Sequence, residues 1–146
     1  MRSRHQEIRR GFTLTEVLVV LFILLAIASV MVVTVRGTRE QARINQATLY
    51  VRALANGVEL FEAHIGRPPT TEQGLDALLN PPSDLANPSK WGGPYLKDNA
   101  QTLDPWQNPY QYVSPGTKTR DGFDVWSFGP DGIDGTEDDI GNWTKD

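Results

Sequence analysis

The chain has 146 residues, no cysteine and a formal net charge of −4, so a disulfide-stapled domain is excluded and one modest domain is the most it can hold. The first eleven residues carry four Arg and one Glu. Without them ten basic residues face seventeen acidic ones, a net side-chain charge of −7, and from Asp121 onward eight carboxylates face Lys145 alone. Nucleic-acid binding needs Lys and Arg to displace phosphate counterions, so an acidic body argues against nucleic acid as the main partner.

The N-terminus reads Arg9-Arg10-Gly11-Phe12-Thr13-Leu14-Thr15-Glu16, followed by an uncharged and almost wholly apolar run from Val17 to Val35. A secretory signal places a small-residue cleavage site after a short apolar core, whereas here the small residue Gly11 precedes a long one. At 1.5 Å per residue, 12–35 covers about 36 Å, enough to cross a hydrocarbon core of about 30 Å with some tilt. Arg2, Arg4, Arg9 and Arg10 favour a cytoplasmic N-terminus, while Arg36, Arg39 and Arg43 weaken the contrast. A charge in the middle of a spanning helix costs about 2.5–3.5 kcal/mol on insertion scales, so Glu16 implies a partner.

No breaker separates this run from the residues after it. Ile44, Ala47, Val51, Leu54, Val58, Phe61 and Ile65 alternate in steps of three and four and define one apolar helix seam. The helix is expected over about 12–65, ending at Gly66 with Pro68 and Pro69 barring continuation. The seam suits either a coiled-coil dimer or the packing of a small head on its own helix, and the shortage of other apolar surface favours the head.

After Gly66, the stretch 71–79 is expected to form a short helix capped by Thr70 or Thr71, with Leu75, Leu78 and Leu79 on one face. From Asn80 to Pro109 the chain is dense in Pro, Asn, Asp and Gly and predicts turns. The strand candidates are 110–114 and 123–128, joined by a hairpin-like loop. The fold class expected is α+β: a long N-terminal helix on a small loop-rich head with a short helix and a small antiparallel sheet. The four Trp are expected in the core of that head.

Residues 131–139 pack five carboxylates into nine positions with two glycines. Composition leaves two readings open, a solvated acidic turn or a site for a hard cation such as Ca²⁺, which takes six to eight oxygens. The EF-hand pattern is absent. Trp126, Phe128, Ile140 and Trp143 bracket the loop and argue that it is pinned. Enzyme chemistry finds little support: a Cys–His pair is impossible, His5 lies in the leader, and no phosphate-cradling glycine loop occurs. Glu59 and Glu62 read as a solvated helix face.

With these residues in view, the chain resembles the bacterial type IV pilin-like superfamily and, within it, the major pseudopilins of type II secretion systems. The motif 11–16 matches the prepilin pattern, with Thr15 standing where Ile, Leu or Val is usual. The narrower likeness rests on Pro69 to Leu75, Trp91 to Lys97, Asp104 to Tyr110, and Asp131 through Trp143.

The resemblance implies a leader over 1–11, a transmembrane and assembly segment over 12–35, and a periplasmic domain over 36–146 with a calcium loop at 128–139. It implies cleavage between Gly11 and Phe12 by a prepilin peptidase, N-methylation of Phe12, and pairing of Glu16 with the N-terminal ammonium of a neighbouring copy. It further implies a structural Ca²⁺ held by the side chains of Asp131, Asp138 and Asp139 and backbone oxygens of Phe128, Ile133 and Thr136, with Asp134 and Glu137 solvated. The expected product is a non-enzymatic homopolymer, the periplasmic pseudopilus, working with minor pseudopilins and the inner-membrane secretion platform to export folded proteins. The alternatives are the pilin of an adhesive or DNA-uptake filament and a membrane-tethered, calcium-dependent binding or hydrolytic domain.

Overall fold

The apolar periodicity becomes one long helix, α1, Leu14–Ile65, in a computed structural model of the chain that describes residues 12–96, 103–119 and 122–144, with the side chains of 29–38 outside that description. The leader expected over 1–11, Gly11 included, lies outside the described residues. Thr13 caps the helix: the Glu16 amide donates to its carbonyl at 3.1 Å and to its Oγ1 at 3.3 Å. Gly66, at φ +91°, closes the other end, its amide donating to Glu62 O at 2.7 Å. Only a residue without Cβ adopts that backbone freely.

The chain divides into two compact units, residues 1–39 and 40–146. In the first, every described side chain from Phe12 to Ala28 is exposed. Among the described residues no helix is long and apolar enough to cross a membrane. The span expected over 12–35 runs into the stretch 29–35, whose side chains lie outside the description.

In the second unit the seam does what the spacing predicts. Ala47, Val51, Leu54, Val58 and Phe61 are buried, with Ile44 and Ile65 half-buried at its ends. Val51, Leu54, Val58 and Phe61 meet Ala77, Leu78, Leu85, Tyr110, Phe123 and Val125 in one core cluster, so the seam serves the head. Burying one such side chain is worth about 1.5–3 kcal/mol, which is why a seam of this length can organise a head with little regular structure. Gly57 is the exception on the packed side. A Cβ there would lie 3.2 Å from Leu78 Cδ1 and 3.3 Å from Leu96 Cδ2, so its bareness lets the head approach.

The short helix expected over 71–79 is present in shorter form and of the 3₁₀ kind. A turn leads into a 3₁₀ helix, Gly74–Leu78. Thr70 and Gln73 form a reciprocal cap, Gln73 N donating to Thr70 Oγ1 at 3.2 Å and Thr70 N to Gln73 Oε1 at 2.9 Å. Gly74 at φ +57° then prevents a continuous α-helix. Leu78 is still fully buried, and Leu75 is half-buried.

The sheet has three antiparallel strands in the order β1-β2-β3: β1 Gln111–Val113, β2 Asp124–Ser127 and β3 Ile140–Gly141. Tyr112 faces Val125 across the first pair, and Trp126 faces Gly141 across the second. The first two strands fall inside the expected stretches. The third is not among the expected strands, because two residues carry no periodicity. Asn142 extends it: its Oδ1 accepts from Val125 N at 3.0 Å and its Nδ2 donates to Phe123 O at 2.9 Å.

The four Trp are half-buried rather than central, which corrects the expectation. Trp91 packs against the core cluster and donates to Ala77 O at 3.1 Å. Trp106 donates to Glu40 Oε1 at 2.8 Å, and Trp126 to Asp134 Oδ1 at 3.0 Å. An indole N–H needs a partner, and these partners hold the rings near the surface.

Candidate functional site

At the N-terminal end, Phe12 is 80% exposed and Glu16 sits in the first turn of α1. Thr13 and Glu16 have the Thr-x-x-Glu spacing of a capping box, and the Thr13 half of it is formed. Among the described residues Glu16 makes no ion pair. Helix capping therefore accounts for a carboxylate at the helix start, where the dipole also favours it, but leaves its charge without a counter-charge.

The second site is the acidic loop between β2 and β3. Gly129 (φ +68°), Gly132 (φ +68°) and Gly135 (φ +84°) let it turn three times. At Gly129 the backbone presses directly on the Asp138 carbonyl, which leaves no room for a Cβ and brings the Phe128–Gly129 segment against Asp138–Asp139. Asp131 Oδ1 accepts from Ile133 N at 2.9 Å, and Thr136 Oγ1 donates to Ile133 O at 3.3 Å. Asp134 is exposed and also pins the loop, accepting from Trp126 Nε1 at 3.0 Å. Trp126 and Trp143, with ring centroids 6.1 Å apart, brace the same side.

Of the three expected carboxylate ligands, Asp131 and Asp138 are exposed and Asp139 is 1% exposed. Asp139 Oδ2 accepts from Gly135 N at 2.9 Å and from Lys118 Nζ at 3.3 Å, while Asp139 Oδ1 is buried without a partner. Among the described residues no three His, Cys, Asp or Glu side chains form a group that could hold a metal ion. The residues nonetheless fit a hard cation in kind: an orphaned buried carboxylate oxygen, two more carboxylates on the same loop, and main-chain carbonyls beside them are all oxygen donors. An orphaned buried carboxylate oxygen carries a desolvation cost that a cation would remove.

Two further buried aspartates support this region and were not singled out from the sequence as structural groups. Asp104 Oδ1 accepts from Trp106 N at 2.9 Å and Asn108 N at 2.8 Å, folding the 104–110 turn. Its Oδ2 accepts from Ser127 Oγ at 2.5 Å, and Ser127 Oγ accepts in turn from Gly129 N at 3.1 Å. The root of the acidic loop is thus tied to the 104–110 turn. Asp124 Oδ2 accepts from Thr117 N at 2.7 Å, Thr117 Oγ1 at 3.0 Å and Lys118 N at 2.8 Å, and its Oδ1 from Thr119 N at 2.8 Å. Burial opposes ionisation of Asp124, but its hydrogen bonds from Lys118, Thr119 and Thr117 outweigh it and hold the carboxyl below its ordinary value. The only local sign of these roles is Asp preceding turn-forming residues, as in Asp104-Pro105.

Comparison with known proteins covers both sites. Residues 34–143 match the model for type II secretion system protein G, and residues 8–32 match the prokaryotic N-terminal methylation motif.

The chain belongs to the type II secretion system protein G family.

Family relatives include the type II secretion system core protein G of Aeromonas hydrophila, 44% identical over 144 residues, covering 98% of this chain and 96% of the relative. The core protein G of Vibrio cholerae is 41% identical over 134 residues, covering 91% and 90%. Among solved structures, the major pseudopilin from the type 2 secretion system of enterohaemorrhagic Escherichia coli matches with a TM-score of 0.62 and 35% identity. That match covers 73% of this chain and 87% of the other. The α+β pseudopilin fold expected from the sequence is the fold observed.

Proposed function

We propose that this chain, a pseudopilus subunit of a type II secretion system, joins its filament after cleavage between Gly11 and Phe12 and N-methylation of Phe12. The observation that carries this reading is the coincidence, on one chain, of a methylation motif over 8–32 with the protein G match over 34–143. The unprocessed chain is held in the inner membrane by 12–35, with 36–146 in the periplasm. Once cut, Phe12 offers an ammonium, and Glu16 of one copy accepts the ammonium of the next. An ion pair of this kind, in the low dielectric of packed helices, offsets the cost of a carboxylate there, and breaking it is expensive. The role is structural rather than catalytic. The partners are further copies of this chain, minor pseudopilins, the inner-membrane platform and a prepilin peptidase.

The calcium reading belongs here too. Asp131, Asp138 and Asp139, with backbone oxygens of Phe128, Ile133 and Thr136, would hold a structural Ca²⁺, and the orphaned Asp139 Oδ1 supports it. The ion's contribution is charge neutralisation within an acidic loop. The chain's own residues do the rest: the glycines turn the backbone, Trp126 fixes Asp134, and Ser127 with Asp104 anchors the loop root.

N-terminal sequencing of membrane-derived protein tests the processing step. The expected first residue is N-methylated Phe12, and an intact Met1 in assembled material would remove the basis for a filament. Replacing Glu16 with Ala should leave processing at Phe12 in place and abolish filaments seen by electron microscopy. Filaments of ordinary abundance from that variant would show that the carboxylate does not pair between copies.

A further inference from the structure

Lys118 is not among the ligands expected for the loop, yet its ammonium sits on one of them. Its Nζ lies 3.3 Å from Asp139 Oδ2 and 4.1 Å from the centroid of the Trp143 ring. The side chain reaches from the loop between β1 and β2 across to the start of β3. Its backbone is fixed independently, since Lys118 N donates to Asp124 Oδ2 at 2.8 Å. The Asp139 side chain is 2% exposed, against 42% for Lys118, so the acid is fixed in the interior and the base can swing out to water. The two oxygens of Asp139 are treated differently: Oδ2 has the ammonium and an amide, and Oδ1 has nothing.

We propose that the Lys118 ammonium is a built-in stand-in cation for the acidic loop: it neutralises Asp139 when no metal is bound and must leave Oδ2 for a divalent ion to bind fully. This rests on the calcium reading above. A monovalent ammonium can satisfy one oxygen of a buried carboxylate but cannot gather Asp131 and Asp138, which are exposed. Trp143 makes the exchange workable. Its ring face attracts the ammonium, giving the stem a parking place at the edge of the site. The apparent affinity for calcium is then the intrinsic affinity reduced by the fraction of molecules in which Lys118 has moved aside. Lys118 is therefore a positioning and competing residue, not a ligand.

The test uses the full-length protein in detergent micelles, with calcium chloride as the probe. Lys118→Met keeps the stem and removes the charge, and calorimetry should show about tenfold tighter calcium binding than in the wild type. Lys118→Arg, which keeps a charge, should bind close to the wild type. Equal or weaker binding by Lys118→Met, with normal binding by the wild type, overturns the stand-in role and leaves the calcium reading intact. No calcium binding by either protein overturns both. The wild type supplies a measurement that does not depend on a variant folding. Saturating calcium should shift its tryptophan emission, and Trp143→Phe should abolish that shift. Emission that calcium leaves unchanged would mean the ammonium keeps its place between Asp139 and Trp143, and the proposal falls.

Discussion

Asp124 opens β2 and Asp139 stands just before β3, both about 1% exposed, yet the chain completes one and leaves the other open. Asp124 accepts from three backbone amides and a hydroxyl, spread over both oxygens. Asp139 has one amide and one ammonium, both on Oδ2. A buried charge whose two oxygens are filled by amides and a hydroxyl of one neighbouring loop is architecture, fixed once the chain folds. A buried charge with a bare oxygen beside a flexible ammonium is a place where something from outside can complete the set. The difference separates a structural acid from a candidate ligand more sharply than composition does, since both look alike as letters.

The largest effect should come from the closed site. Asp124→Ala strands three amides and the Thr117 hydroxyl, and chemical denaturation should show a loss of about 3–5 kcal/mol, the same with and without calcium. A loss under about 1 kcal/mol would mean that water replaces the carboxylate, and the contrast would lose its first half. A smaller, conditional effect belongs to the open site. With calcium at about 100 times its dissociation constant, the wild type should gain about 2.7 kcal/mol over chelated protein, and Asp139→Asn should lose nearly all of that gain. Thermal melts with calcium and with chelator decide it, and a variant that still responds fully to calcium would place the ion elsewhere.

Much of the helix was legible because its signals are local and repeated. The seam from Ile44 to Ile65 recurs every three or four residues, and Gly66 followed by Pro68 marks a stop that needs no tertiary information. The strands of 110–114 and 123–128 were legible for the same reason, through alternation over several residues. What escaped lies in long-range pairing of single groups. β3 has two residues and exists because Ile140 and Gly141 meet β2, with Asn142 bonding Phe123 and Val125 beside them. Asp104 works through Ser127, and Lys118 through Asp139, partners 23 and 21 positions away that no periodicity announces. The helix expected over 71–79 came out as the shorter 3₁₀ helix Gly74–Leu78 for a local reason. Apolar spacing and the Thr70–Gln73 cap favour a helix start, but the left-handed Gly74 breaks the α-helical run.

Gly57 has a consequence for α1 itself. A glycine amid helix weakens it by about 1 kcal/mol relative to alanine, and here the same missing side chain lets Leu78 and Leu96 nestle against the backbone. The rod thus borrows its rigidity at this point from its cargo. A synthetic peptide spanning 40–65 would fray around its middle, while the same stretch under its head stays helical.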